Sequence, residues 1–237
     1  MKILAIIPAR GGSKGIPKKN IVDLNGKPLI QYTVDVAIES RKIDRVFLSS
    51  DDDNIITTVK RMGIYSDYKR PCNFASDTAT AVDVVIDALD WLEKNESYIP
   101  DAVILLQPTS PLRLSSDIDS AIEKFSQSSK DCLVSVHEMM EHPYECIVDI
   151  ENDGWQYLAK QDTKATRRQD YKNKFYYING ALYLVDVEFF KKYREFIVEK
   201  NTSFYVMPHE RGIDIDEYSD LKQAEFLLKE RMEIEDV

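Results

Sequence analysis

The chain has 237 residues, 43% hydrophobic and 30% charged, enough for one α/β domain with a sizeable core. A formal net charge of −10 and a pI near 4.9 exclude general attraction to nucleic acid or an anionic membrane as the main activity, and make a local cluster of Arg and Lys informative. Cys72, Cys132 and Cys146 share no C-x-x-C spacing, and no signal peptide or run of ~20 apolar residues is evident, so reduced thiols, a cytoplasmic location and no membrane partner are expected.

In chain order, Ile3–Ile7 is a short apolar run of the kind that forms a strand buried on both faces. Pro8 ends it. Ala9-Arg10-Gly11-Gly12-Ser13-Lys14-Gly15 follows, with Lys18, Lys19 and Asn20 shortly after. Glycines let backbone N–H groups approach a bound group, and Arg10, Lys14, Lys18 and Lys19 surround that backbone with cations. Such a loop after a buried strand suits a polyphosphate. It is neither a Walker P-loop nor G-x-G-x-x-G.

Asn25-Gly26 marks a turn, and Pro28-Leu29-Ile30 opens a helix running to about Glu39. Arg45–Ser49 is a second strand. Ser50-Asp51-Asp52-Asp53 caps a helix to about Met62; the alternative, a metal site of three aspartates, competes with the ordinary preference of acids for a first helical turn. Ile64–Tyr68 reads as a short strand. A loop through Lys69-Arg70 and Ala75–Thr78 leads to a helix from about Thr80 to Lys94, with a core face of Val82, Val85, Ile86, Leu89 and Leu92. Asp101–Leu106 is a buried strand ending in Gln107-Pro108-Thr109-Ser110-Pro111-Leu112-Arg113. A helix starts at Ser115 or Ser116 with Asp117, and Leu133–Val136 is the next strand.

Repeated β-loop-α units predict a doubly wound, mainly parallel sheet, with the loops beginning at Pro8, Ser49 and Gln107 meeting at one edge. The pattern changes over 137–175. Turn signals and the polar run containing Arg167 and Arg168 predict an inserted arm within a single domain of 1–237, either a contact between copies or a solvated excursion. Phe175–Val185 returns to an apolar strand pattern interrupted by Asn179-Gly180. A helix over Val187–Tyr193, a strand over Phe204–Met207 and a helix from Tyr218 to about Met232 complete the chain.

Between the last two lies Gly212-Ile213-Asp214-Ile215-Asp216. Alternation places Asp214 and Asp216 on one side of an extended backbone. Two close carboxylates repel unless a cation lies between them, and Mg²⁺ shared with a nucleotide phosphate meets that need, with Mn²⁺ able to substitute. The alternative, that Asp216 caps the last helix, leaves Asp214 unexplained.

Five blocks, in order, resemble the sugar-nucleotide cytidylyltransferases, and among them the CMP-sialic acid synthetase (acylneuraminate cytidylyltransferase) branch of bacterial CMP-nonulosonate type. They are the Gly-rich loop, Arg70-Pro71 with Ala75-Ser76-Asp77-Thr78, Leu106–Arg113, Asn179-Gly180-Ala181-Leu182-Tyr183, and Ile213-Asp214-Ile215-Asp216. The resemblance implies a fold like that of the nucleotide-diphospho-sugar transferases, with a dimerisation arm around His142-Pro143. It implies CTP and a 2-keto sugar acid as substrates, release of pyrophosphate, and a homodimer. Arg10 and Lys14 would hold the triphosphate, helped by the backbone of Ala9, Gly11, Gly12 and Ser13, and Lys19 and Asn20 would contact phosphate or cytosine. Arg70, Ser76 and Thr78 would lie at the cytidine. Gln107, Thr109, Ser110, Tyr177 and Asn179 would line the sugar pocket, with Arg168 near the sugar carboxylate or the phosphates. Asp214 and Asp216 would hold the metal. Two departures stand out: members often have Arg at the position of Tyr177 and Thr at that of Glu217. The rival substrate within the fold is 3-deoxy-manno-octulosonate, and the rival class is a non-catalytic nucleotide-binding regulator. None of His137, His142 and His209 sits in a recognisable catalytic motif.

Overall fold

A computed structural model describes residues 1–148, 154–159 and 173–235. The elements, in order, are β1 (Ile3–Pro8), β2 (Asp23–Leu24), β3 (Lys27–Pro28), α1 (Leu29–Glu39), β4 (Arg45–Ser49), α2 (Asp53–Arg61), α3 (Ala81–Glu96), β5 (Ala102–Leu105), α4 (Ser115–Gln127), β6 (Cys132–Glu138), β7 (Ile147–Val148), β8 (Gln156–Tyr157), β9 (Tyr176–Asp186), α5 (Val187–Tyr193), β10 (Thr202–Val206) and α6 (Tyr218–Glu235). Short 3₁₀ turns lie at Lys19–Ile21, Cys72–Phe74 and His209–Gly212.

Six strands form one sheet in the order β10-β6-β9-β5-β1-β4. β1 pairs in parallel with both β4 and β5, and β10 pairs in parallel with β6. β9 runs antiparallel to both its neighbours, β5 and β6. The sheet is thus mixed but mainly parallel, as the spacing of strands and helices predicts.

Alternation along β1 explains the two layers. Ile3, Ala5 and Ile7 face a core with Ile30, Val34, Ile55, Val59, Ile118 and Phe125 of α1, α2 and α4. Leu4 and Ile6 face the other side, with Val85, Leu89 and Leu92 of α3 and Phe190 of α5. A strand buried on both faces has no polar positions to spare, which is why the run reads as continuous Ile/Leu/Ala. A third cluster joins Ile16 and Leu24 to Ile215, Ala224 and Leu228, and so fastens α6 and the segment before it to the N-terminal loop.

Local chemistry sets the boundaries. Asp52 caps α2 by accepting the N–H groups of Asn54 and Ile55. Thr80 and Asp83 form a capping box on α3. Asp117 reaches back to accept the Leu114 N–H at 2.9 Å, so the carboxylate, and not a serine, closes the start of α4. Asn25 and Gly26 have φ of 50° and 81° and turn β2 into β3, the dipeptide that a two-residue hairpin requires.

Two expectations are corrected. Ile64–Tyr68 is not a strand: it passes outside the sheet with no ladder partner, and its apolar ends serve as core anchors, Tyr68 packing on Phe47 and Trp91 at 5.1 and 5.5 Å between ring centroids. Asn179-Gly180 does not interrupt β9: the strand is continuous, and the irregularity is a register shift opposite Val134–Val136 with Gly180 at φ 73°. Of the segment 137–175, the described part contains the two-residue ribbon β7–β8 and a ring cluster in which the buried His142 packs with the partly exposed Tyr144 and Phe175. Arg167 and Arg168 lie outside the described residues. No described helix is long and apolar enough to cross a membrane. All three cysteines are free, and burial pushes the Cys132 thiol up to about 11.

Candidate active site

At the carboxyl ends of β1 and β5 the structure opens into a cleft of about 720 Å³. This is the crevice where the chain leaves β1 for β4 on one side and β5 on the other, the expected place for a ligand in such a sheet. Its lining is divided by charge. Arg10, Lys14, Lys19 and Arg70 supply cations, Asp77, Asp214, Asp216 and Glu217 supply carboxylates, and Phe74, Ala79, Ala81, Val84 and Leu105 form an apolar stretch.

The Gly-rich loop is fixed at both ends. Ala9 donates its N–H to the Ser49 carbonyl at 2.9 Å, and Gly11 donates to Asp51 Oδ1 at 3.0 Å. A side chain at Gly11 would meet the Asp52 carboxylate, whereas Gly12 faces open space. At the far end a Cβ on Gly15 would overlap the carbonyl oxygen of Asp216. Asn20, buried, donates to the Arg10 carbonyl at 2.9 Å. The three aspartates are therefore used separately: Asp51 on the loop, Asp52 on the helix, and Asp53 against Lys69 at 2.7 Å. That disposition leaves nothing for the alternative of a shared metal.

Arg10 and Lys14 converge on one carboxylate. Arg10 Nη1 lies 2.7 Å from Asp77 Oδ1, and Lys14 Nζ lies 3.1 Å from Asp77 Oδ2. The hydrogen bonds from Arg10 and then Lys14 hold the Asp77 carboxyl below the usual carboxylate range. Asp77 lies in one of the resembling blocks, yet the resemblance implies roles there for Arg70, Ser76 and Thr78 and none for Asp77. A lone Asp in a loop gives no hint of its partners. Ser76 lines the cleft and lies 3.1 Å from the exposed Thr78 hydroxyl.

Asp214 and Asp216 stand on the opposite wall. Lys19 bridges from the N-terminal loop, its Nζ 2.9 Å from Asp216 Oδ1 and 2.7 Å from the Ile215 carbonyl. Protein packed beneath Asp214 pushes its carboxyl above the usual range even though water reaches it from the cleft; Thr109 opposes that shift and Asp216 reinforces it. Among the described residues no group of three or more His, Cys, Asp or Glu side chains is gathered for a metal. The pair nevertheless fits Mg²⁺, which is commonly bound through one or two carboxylates, with substrate phosphates and water completing the shell.

The loop after β5 brings Gln107, Pro108 and Thr109 into the cleft. A Cβ on Gly180 would sit 3.7 Å from Asp214 Oδ2 and 3.8 Å from Gln107 Nε2, so the glycine keeps space between them. Three expected sugar-pocket residues, Ser110, Tyr177 and Asn179, are not part of the cleft lining. Ser110 is buried with an unpartnered hydroxyl. Asn179 is buried and engaged by protein: its Oδ1 accepts from Ser135 Oγ at 2.5 Å and the Ala181 N–H at 3.2 Å, while its Nδ2 contacts Met207 Sδ. Tyr177 is 58% exposed, near the same sheet edge, with its ring 5.5 Å from that of His137. Burial and the neighbouring His209 depress the His137 imidazole's pKa.

Arg113 is a support that the sequence named without a role. Its guanidinium is fully buried, donates to the Ala181 carbonyl and Thr33 Oγ1, and lies 3.4–3.5 Å from the Gln107 carbonyl. Burial pulls it down to about 9. It ties the loop carrying Gln107 to β9 and α1.

Against this geometry, a cytidylyltransferase family profile matches residues 4–234. Pseudaminic acid cytidylyltransferase of Campylobacter jejuni is 36% identical over 229 residues, 97% of this chain and 97% of that protein. N-acylneuraminate cytidylyltransferase of Streptococcus agalactiae is 36% identical over 222 residues, 93% of this chain and 52% of that longer protein. Among solved structures, CMP:2-keto-3-deoxy-manno-octonic acid synthetase complexed with CTP superposes with a TM-score of 0.72 at 17% identity, over 98% of this chain and 100% of that one.

Proposed function

The chain belongs to the cytidylyltransferase family, and we propose that it transfers CMP from CTP to the anomeric hydroxyl of a nonulosonic acid, with pyrophosphate as the second product. The observation that carries this reading is the cleft itself, which brings Arg10, Lys14 and Lys19 together with Asp214 and Asp216. The two relatives described above both have acid sugars of this class in their names. The superposed octonic acid enzyme supports the fold alone.

The chemistry follows from charge. The C2 hydroxyl oxygen of the ring-form acid attacks the α-phosphorus, the bond from that phosphorus to the bridging oxygen breaks, and pyrophosphate carries away the electron pair. The hydroxyl proton passes to a base. Positioning and neutralisation of phosphate charge dominate such a step. Arg10 and Lys14 hold the triphosphate, exchanging Asp77 for phosphate oxygens. The backbone from Ala9 to Ser13 shapes the loop around it, and Asn20 fixes the carbonyl of Arg10. Lys19 neutralises charge beside Asp216. Asp214 and Asp216 would hold Mg²⁺, or Mn²⁺ in its place, and the ion would neutralise negative charge on the phosphates. Arg70, Ser76 and Thr78 lie on the nucleoside side. Gln107 and Thr109 face the sugar acid, with Ser110 and Asn179 supporting the pocket from behind and Arg168 supplying a cation for the carboxylate.

Release of pyrophosphate from CTP and Mg²⁺ with a panel of 2-keto sugar acids tests the reading. Release with nonulosonic acids is expected. Release with an octulosonic acid alone would move the chain to the other substrate, and no release with any acid would leave a nucleotide-binding protein. Tyr177 is proposed to bias the choice within the class, replacing a cation by a neutral ring. Tyr177→Arg should therefore change the ranking of kcat/KM among the acids; an unchanged ranking would remove Tyr177 from the pocket. The segment 137–175 is proposed as the arm of a cytoplasmic homodimer.

A further inference from the structure

Among the described residues Arg70 and Arg113 are the buried arginines, and Arg70, at 4% exposure, lines the cleft. A buried cation is costly unless it is paired and hydrogen-bonded. Its pairing is indirect. Nε donates to Ser49 Oγ at 2.9 Å, and Nη2 donates to the Ser49 carbonyl. Ser49 Oγ lies 3.2 Å from the Tyr68 hydroxyl, which donates to Asp87 Oδ2 at 2.5 Å. The direction of the chain is fixed by its ends. Tyr68 gives its only proton to Asp87 and so accepts from Ser49, which in turn accepts from Arg70. Each link therefore polarises the next, and a carboxylate on α3 steadies a guanidinium in the cleft through two hydroxyls.

The other nitrogen, Nη1, is the one that Ser49 does not take. The cleft that Arg70 lines also presents Phe74, Ala81, Val84 and Leu105, apolar side chains suited to a flat base. A guanidinium can only donate. Cytosine presents two adjacent acceptors, O2 and N3, whereas uracil carries a hydrogen on N3. A donor held immobile at that edge favours the first over the second.

We propose that Ser49, Tyr68 and Asp87 are positioning residues for base selection, aiming Arg70 so that CTP is distinguished from UTP. The inference rests on the CTP-dependent reading of the cleft. Equilibrium binding of CTP and of UTP, together with kcat and KM, is measured for the wild type, Tyr68→Phe, Asp87→Ala and Asp87→Asn. Loss of one well-placed hydrogen bond corresponds to roughly a tenfold change in affinity. Tyr68→Phe and Asp87→Ala are expected to weaken CTP about tenfold and to narrow the CTP-to-UTP ratio by a similar factor, with kcat at saturating CTP changed less than about threefold. Asp87→Asn, which keeps an acceptor for Tyr68, should restore most of the ratio. If Tyr68→Phe does not fold, the two variants at the partly buried Asp87 decide. A ratio unchanged in the folded variants, whatever their melting temperatures, overturns the proposal. A wild-type chain that binds neither nucleotide overturns the underlying reading as well.

Discussion

Asp214 shows what a functional side chain does to the molecule that holds it. Its carboxyl is raised by desolvation, with Asp216 adding to the shift. A folded-state pKa above the unfolded value means that the proton is bound more tightly in the native chain. The stabilising protonated form is fully present below the unfolded value, about 4, and is lost as pH rises through the native one. At neutral pH the ionised group therefore weakens the fold. Asp214→Asn should melt above the wild type at pH 7, with the difference closing as the pH approaches about 4, while pyrophosphate release falls to near background. Equal melting curves at both pH values would show that the carboxyl is not strained. Lys14 is the opposite case: its side chain is 77% exposed and its structural contact is a surface ion pair with Asp77, of a kind that contributes little to stability. Lys14→Ala should leave the melting temperature within about 2 °C and lower the rate by roughly 10²- to 10⁴-fold, read in the pyrophosphate assay.

At the scale of elements, the cleft depends on how closely two loops approach. Gly15 lies against the Asp216 carbonyl, and Lys19 spans the same gap to Ile215 and Asp216. Gly15→Ala should push the walls apart, weakening CTP binding by titration and destabilising the protein by about 1–3 kcal/mol in denaturant melts. An unchanged affinity would mean that the walls are less tightly coupled than this contact implies. Sequence patterns located most of these elements, because apolar runs such as Ile3–Ile7 and the helical spacing of Val85, Leu89 and Leu92 report burial directly. They were blind where long-range partners decide. Ile64–Tyr68 has strand-like composition, but no strand lies beside it. The antiparallel course of β9 follows from its neighbours, since an apolar strand reads the same in either direction. Asp77, Asp87 and Arg113 gain their significance from residues 67, 19 and 68 positions away, respectively. No local pattern records such distances.

At the scale of the molecule, several large apolar side chains remain exposed, including Trp155 at 59%, Leu158 at 57%, and Phe204 and Val206 on edge strand β10 at 46% and 51%. Contiguous exposed apolar surface commonly marks an association site. The homodimer proposed above would have a solution mass of roughly 55 kDa by light scattering, twice 27.4 kDa, and Leu158→Arg should shift it towards the single chain. A wild-type mass of 27.4 kDa would refute the dimer. The ladder also shows how residues 139–175 are attached. Glu138 and Tyr176 are cross-strand neighbours, so the chain leaves β6 and re-enters β9 at facing positions. The excursion is, in topological terms, an overgrown hairpin loop on a sheet that is already complete. A change in its length or sequence beyond the Met139–Phe175 hydrogen bond would leave every rung of the β6–β9 ladder in place. The sheet and the cleft residues mounted on it would then be indifferent to what the excursion becomes.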